Sequence, residues 1–387
     1  MLKNELRKKL SVVLFGATAA LLILEVGVRF FTPEDFRASV RTYLGERLRD
    51  CQKKDKVLNH KLTPNCSGRI VTNEYNISFK TNSLGLRNEE VDIEKKNAFR
   101  VLLVGDSFTE GWGVERENRF DKVAQKRIKE LLKEEDSYFE IEIVNAGIRS
   151  YSPVLELIYL KEFGLRLNPD LVIMLYDFSD LHDDFYYGGW PLHYKLKESI
   201  GLFDKKYLPE WPEDKGSRIL KLVKKSRLFS IIFGELKHAV GNKNHKITLE
   251  NLTNDISLFS KGQNWEDYEK AWNLSLNNIM LTRDFLKEKG IDFALVVIPR
   301  GNYVNPDEWR EGRFLLGIQG GVLYNSLPID IIENEAKNQG IEVINILNPL
   351  KESEIFPLYY PIDGHWTVDG NSVVGEIFAE YIFKVMH

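Results

Sequence analysis

The chain has 387 residues, of which 43% are hydrophobic and 28% are charged. This composition excludes a disordered protein and allows a sizeable core, in one large domain or two ordinary ones. The formal net charge is −4, and the sequence contains no zinc-finger, basic-zipper or RNA-binding signature, so nucleic acid is not an expected partner.

The N-terminal residues predict a membrane anchor. Basic residues lie within positions 1–9, and a mainly apolar stretch follows over 10–31. This stretch approaches the ~20 residues that a membrane-spanning helix needs. The basic residues favour a cytoplasmic tail (1–9), a transmembrane signal anchor (10–31) and an extracytoplasmic remainder, in the periplasm or at the cell surface. A signal peptide cleaved near Ala17-Thr18-Ala19 and a structural hydrophobic helix are the alternatives.

Residues 32–98 are polar and irregular, with short alternating stretches such as Tyr75–Phe79, and they are predicted to form an extracytoplasmic N-terminal extension. They contain both cysteines of the chain, Cys51 and Cys66. A disulfide between them would close a short loop on the outer side of a membrane, and two unpaired buried thiols are the alternative. Neither cysteine has the spacing of a metal site, and no metal or cofactor is expected.

From residue 99 onwards, short apolar segments alternate with segments of helical periodicity. The predicted strands are 100–105, 139–144, 171–176, 293–298 and 341–346, and the predicted helices are 120–132, 153–163, 272–289, 329–338 and 373–385. Strands that alternate with helices predict right-handed crossovers and a parallel sheet with helices on both faces. The pattern therefore predicts an α/β fold.

A long insertion interrupts this alternation. Residues 186–270 are too many for an ordinary connection between two elements. Within them, residues 217–240 have one apolar side and one basic side, which predicts a solvated helix covering the core. A lid over the active site and a surface for anionic lipid or glycan are the alternatives.

The motif Gly105-Asp106-Ser107 directly follows the first predicted strand. Ligands bind at the carboxyl ends of the strands in parallel sheets, and a serine there has a backbone N–H that can help to hold an oxyanion. The motif differs from the Gly-x-Ser-x-Gly elbow and from a phosphate-binding loop. An ordinary turn with a helix cap is the alternative interpretation.

A serine nucleophile needs a base, because its hydroxyl is weakly nucleophilic at neutral pH. Asp363-Gly364-His365 lies just before the last predicted helix. A carboxylate two residues from an imidazole can fix its tautomer and stabilise the imidazolium. Ser107, Asp363 and His365 are therefore the candidate catalytic residues.

Together these motifs resemble the SGNH, or GDSL, hydrolases, in particular membrane-anchored bacterial members. Thr81–Arg87 resembles a segment that often precedes the Gly-Asp-Ser motif in those members, and Val144–Gly147 resembles the second conserved block. The resemblance covers roughly residues 60–387. It implies a hydrolase domain over 99–387 with the flavodoxin-like three-layer α/β/α sandwich, built on a five-stranded parallel sheet.

The resemblance also implies an oxyanion hole formed by the N–H groups of Ser107 and Gly147, with a contribution from Ser179. Ser179 stands where the family has an asparagine, whose longer amide reaches further than a hydroxyl. A second departure is the spacing of two residues between Asp363 and His365, where three is commoner.

The resemblance implies a serine esterase that acts on an acylated cell-surface glycan or a small ester through an acyl-enzyme. Two alternatives remain open at this point. One is a polysaccharide O-acyltransferase with the same three residues, and the other is a non-catalytic glycan-binding or assembly protein, with polysaccharide-assembly proteins as its partners.

Overall fold

A computed structural model of the chain describes residues 51–95, 97–187, 269–313 and 320–387, with a few positions between Glu5 and Gly27. The chain divides into two compact units. The larger comprises Leu48–Ile70, Glu74–Glu210 and Lys246–His387; the smaller comprises Met1–Arg47, Val71–Asn73 and Trp211–His245. Most of the predicted tail, anchor and insertion lies outside the described residues. No helix in the described part of the chain is both long and apolar enough to cross a membrane.

Part of the N-terminal extension, which the sequence predicts to be irregular, is regular. Strands β1 (Gln52–Asp55) and β2 (Asn59–Leu62) form an antiparallel pair. Strands β3 (Ser67–Val71) and β4 (Asn76–Lys80) form a second two-stranded sheet. In β4 the apolar side chains alternate inwards, as a half-buried strand requires. The alternating stretch Tyr75–Phe79 in the sequence corresponds to this strand.

The two cysteines of the extension form a disulfide. Cys51 and Cys66 are joined across a sequence separation of 15 residues, with their Cα atoms 5.5 Å apart. This decides between the two alternatives that the sequence leaves open. The bond ties the residue before β1 to the residue before β3.

The larger unit is built on a five-stranded parallel sheet, as predicted. Its strands are β5 (Ala98–Gly105), β6 (Glu140–Asn145), β7 (Leu171–Tyr176), β8 (Asp292–Val297) and β9 (Glu342–Ile344). The order across the sheet is β6-β5-β7-β8-β9, and every neighbouring pair is parallel. Strand β9 is only three residues long, half the predicted length, and two residues separate its end from a short helix that begins at Leu347.

Helices cover both faces of the sheet. In chain order they are α1 (Ser107–Glu110), α2 (Phe120–Glu134), α3 (Pro153–Glu162), α4 (Asp180–Tyr187), α5 (Glu269–Lys287), α6 (Gly301–Val304), α7 (Leu327–Asn338), α8 (Leu347–Lys351) and α9 (Val368–Met386). The chain crosses from β5 to β6 in one direction and from β6 to β7 in the other, so right-handed crossovers put α2 and α3 on opposite faces. Helix α9 packs on α2, and α5 packs on α3.

The sheet order places β5 at the switch point of the fold. The strand that follows it in sequence, β6, lies on one side of it, and β7 lies on the other. In open α/β sheets the crevice beyond the carboxyl ends of the strands at this point is the usual place for a ligand. Ser107 lies two residues beyond the end of β5.

Candidate active site

Ser107 is the first residue of α1, in the tight turn that leaves β5. Asp106 caps the helix, since its Oδ1 accepts the backbone N–H of Phe108 at 2.8 Å. Gly105 is required before it, because a Cβ there would collide with the side chain of Thr109 and approach the carbonyl oxygen of Leu175 to 2.9 Å. Ser107 itself is half-buried. Its hydroxyl therefore lies at the carboxyl ends of the strands, on a closely packed turn.

The structure brings His365 and Asp363 to this hydroxyl across 258 residues of sequence. The Oγ atom of Ser107 lies 2.8 Å from Nε2 of His365, and Nδ1 of the same ring contacts Oδ1 of Asp363. A carboxylate at Nδ1 keeps the ring proton on that nitrogen, so Nε2 is left to accept the serine proton. The three predicted residues thus form one hydrogen-bonded chain.

The loop that carries Asp363 and His365 is narrow and tightly closed. A β-bridge pairs Tyr359 with Trp366, one residue beyond the histidine. Gly364 has φ +83°, and a Cβ there would collide with the indole of Trp309. This explains the glycine between the two functional residues.

The second oxygen of Asp363 binds a residue of the extension that the sequence did not single out. The hydroxyl of Tyr75 donates to Oδ2 of Asp363 at 2.7 Å. The carboxylate of Glu74 accepts the backbone N–H groups of Ile362 and Asp363, each at 2.7 Å. Burial raises the pKa of Glu74. No local pattern predicts a contact between residues 288 positions apart.

The Thr81–Arg87 segment supports the other half of the site. The guanidinium of Arg87 is buried and donates to the carbonyl oxygens of Glu110, Gly111 and Val114, at 3.1, 2.5 and 2.6 Å. Glu110 is the last residue of α1, so its carbonyl has no partner within the helix, and Gly111 and Val114 belong to the segment that follows. Burial lowers the pKa of Arg87 to about 10.

Gly147, a predicted oxyanion donor, has its N–H engaged by a side chain. That N–H donates to Oδ1 of Asn145 at 2.9 Å, and the amide of Asn145 in turn donates to the carbonyl of Thr109 at 2.6 Å. A Cβ at Gly147 would collide with the backbone of Thr109 and Glu110, so the glycine permits β6 and α1 to approach closely. This packing places Gly147 beside the nucleophile turn.

Ser179, the third predicted oxyanion residue, also donates elsewhere. Its hydroxyl donates to Oδ2 of Asp177 at 2.5 Å, and its backbone N–H reaches the same oxygen at 3.1 Å. Nη2 of Arg300 donates to that oxygen at 3.2 Å. Because a hydroxyl has one proton, this arrangement turns the proton of Ser179 towards Asp177.

Buried carboxyl groups lie beneath the nucleophile turn, and the sequence did not predict them. Burial, with the neighbouring Asp177 carboxylate, raises the pKa of Asp106 to about 7. Burial also raises the pKa of Asp184 to about 6, and it raises the pKa values of Glu156 and Asp180 far above their usual range. Among the described residues, no group of three or more His, Cys, Asp or Glu side chains is arranged to hold a metal ion.

No protein-family model matches the chain, and no curated protein matches it in sequence. Several solved structures are similar to it. A GDSL-like lipase from Bacteroides thetaiotaomicron has 13% identity and a TM-score of 0.35, over 74% of this chain and 89% of that one. An acetylxylan esterase from Geobacillus stearothermophilus has 11% identity and a TM-score of 0.37, over 73% of this chain and 93% of that one. A lipase/acylhydrolase from Enterococcus faecalis has 12% identity and a TM-score of 0.39, over 74% of this chain and 96% of that one. Identities and TM-scores this low establish neither a shared activity nor a shared substrate.

Proposed function

We propose that this chain is a serine-dependent carboxylic ester hydrolase of the SGNH type, which works through an acyl-enzyme on Ser107. The observation that carries the proposal is the 2.8 Å separation between Ser107 Oγ and His365 Nε2, with Asp363 on the other ring nitrogen. A nucleophile and base within hydrogen-bond reach, with a third group that orients the base, is the arrangement that activates a serine.

The proposed reaction has two halves. His365 accepts the proton of Ser107 while Oγ attacks the ester carbonyl carbon, and the imidazolium then gives this proton to the departing alcohol. Water, deprotonated by the same imidazole, attacks the acyl-enzyme, and the carboxylic acid leaves as Ser107 regains its proton. Asp363 stays ionised throughout and stabilises the imidazolium.

The oxyanion of each tetrahedral intermediate needs donors, and we assign the N–H groups of Ser107 and Gly147 to it. The N–H of Ser107 is the first of α1, so the helix itself offers it no partner. The N–H of Gly147 would shift from Asn145, its present acceptor, to the oxyanion or be shared between the two. Ser179 is the third member and contributes once its hydroxyl turns from Asp177. Each such donor is worth on the order of 10²–10³ in rate.

The substrate class follows from the predicted location. The apolar stretch at 10–31 favours a membrane anchor, and the Cys51–Cys66 disulfide fits an oxidising compartment outside the cytoplasm. We therefore propose an acylated cell-surface glycan or a small ester as the substrate.

The test is hydrolysis of p-nitrophenyl acetate by the wild-type chain and by Ser107→Ala. The variant should lose turnover, and mass spectrometry should find an acylated Ser107 only in the wild type. Ser83→Ala is the matched control, since Ser83 is exposed on the extension and binds Glu90. Wild-type turnover by Ser107→Ala would refute the proposal. Adding a glycan acceptor and analysing the products distinguishes hydrolysis from acyl transfer.

A further inference from the structure

Asp363 is held from the side opposite His365 by two consecutive residues of the extension. Tyr75 binds Oδ2, the second carboxyl oxygen of Asp363, and Glu74 binds the backbone N–H of Asp363 and of the residue before it. All three hydrogen bonds are 2.7 Å long. The side chain of Asp363 is 5% exposed, so water does not readily replace these partners.

The position of Tyr75 is itself well defined. It is buried, and its ring packs on Tyr360 with the two centroids 4.9 Å apart. The hydroxyl of Tyr360 donates to the carbonyl of Gly113 at 3.0 Å. Tyr75 directly precedes β4, whose side chains Ile77 and Phe79 belong to the main hydrophobic core. The phenol is thus placed by packing on both sides.

We propose that Tyr75 and Glu74 are positioning residues of the active site, and that they act through Asp363. Tyr75 fixes the rotation of the carboxyl group, so that Oδ1 remains on Nδ1 of His365. Glu74 fixes the backbone from which that carboxyl group extends. This inference rests on the proposed function, since it gives these residues a part in activating Ser107.

The chemistry requires such support. An aspartate with one oxygen on the imidazole can rotate about its own side-chain bond unless its second oxygen is held. A displacement of about 1 Å at a catalytic group can cost on the order of 10²-fold in rate. Second partners of a catalytic carboxylate therefore act on the rate of the chemical step, with little effect on substrate binding.

The inference is tested with Tyr75→Phe and Glu74→Gln in the full-length chain, with p-nitrophenyl acetate as substrate. Loss of one hydrogen bond to a charged group should lower kcat by about 10- to 100-fold, with KM changed less than about threefold. In Tyr75→Phe the acid limb of the kcat/KM profile should also move to higher pH, because a carboxylate that has lost a donor attracts the imidazolium more strongly.

A matched tyrosine on the opposite edge of the sheet serves as the control. Tyr381 in α9 lies near Asp292 and Glu342, at the amino ends of β8 and β9, and Tyr381→Phe should keep wild-type kcat and pH profile. Thermal unfolding of each variant measures the folded fraction, by which kcat is normalised.

The outcomes separate this inference from the proposed function. If Ser107→Ala is inactive while Tyr75→Phe and Glu74→Gln keep the wild-type kcat and pH profile, the inference alone is overturned. It is also overturned if both variants have a lower folded fraction but the same kcat per folded molecule as the wild type. If Ser107→Ala retains wild-type turnover, the proposed function itself fails.

Discussion

The protonation state of Glu156 in α3, in the core beneath the active site, can be measured through the pH dependence of stability. The residue is fully buried, and within the described part of the chain neither of its carboxyl oxygens has a hydrogen-bond partner. The titratable groups that face it are the carboxyls of Asp184, Asp106 and Asp180. Burial first, and these neighbours second, raise the pKa of Glu156 far above its usual range. The folded protein should therefore keep the proton on Glu156 to a higher pH than the unfolded chain does.

The consequence for stability has a definite sign and size. An unfolded chain ionises glutamate near about pH 4.3. Above that pH the folded state binds one more proton than the unfolded state, so the free energy of unfolding falls by about 1.4 kcal/mol per pH unit. Glu156→Gln keeps a neutral side chain of similar shape and removes this dependence. Between about pH 5 and about pH 7, the stability of the variant should therefore rise relative to the wild type, by about 1.4 kcal/mol for each pH unit over which Glu156 of the wild type keeps its proton.

The assay is urea unfolding followed by tryptophan fluorescence at several pH values between these limits. Glu335→Gln, at an exposed position of α7, reports the effect of the same chemical change without burial. A difference between Glu156→Gln and wild type that stays constant with pH would refute the reasoning. It would mean that Glu156 is ionised in the folded protein as it is in the unfolded chain.

Two further predictions concern the disulfide and the oxyanion residues. Replacing Cys51 and Cys66 together by serine should lower the free energy of unfolding by about 3 kcal/mol, because the bond closes a loop of about 15 residues. Equal denaturation midpoints for the variant and the wild type would contradict this prediction. Ser179→Asn should raise kcat towards p-nitrophenyl acetate about tenfold or more, because an amide has a donor left after binding Asp177. A lower kcat in a folded variant would show that position 179 does not face the oxyanion.

The sequence predicts the sheet and the three central residues because their signals are local. A short β-branched run that ends at Gly105 indicates a buried strand, and the residues after it have few conformations open to them. Asp363 and His365 are two positions apart, so their pairing can be recognised in the sequence itself, although other parts of the fold hold the loop that carries them. Ser107 then meets them because the sheet brings the end of β5 to the loop before α9.

The remaining features depend on contacts that no local pattern contains. Tyr75, which directly precedes β4, reaches Asp363 across 288 residues. The sequence indicates that Gly147 and Ser179 can donate hydrogen bonds, but it does not indicate which acceptor each of them binds. Glu156 did carry a usable signal, since a single acid within the apolar run of α3 must be buried with its neighbours.

The extension has a larger part in the site than the sequence predicts. Arg87 binds the carbonyls that follow α1, and Tyr75 with Glu74 binds the loop of Asp363. These are the two halves of the proposed active site, and they come from opposite ends of the hydrolase sequence. The same segment binds both, and its residues 51–70 and 74–95 lie in the same compact unit as the site. The alignment of Ser107 with its base therefore depends on the extension as well as on the sheet.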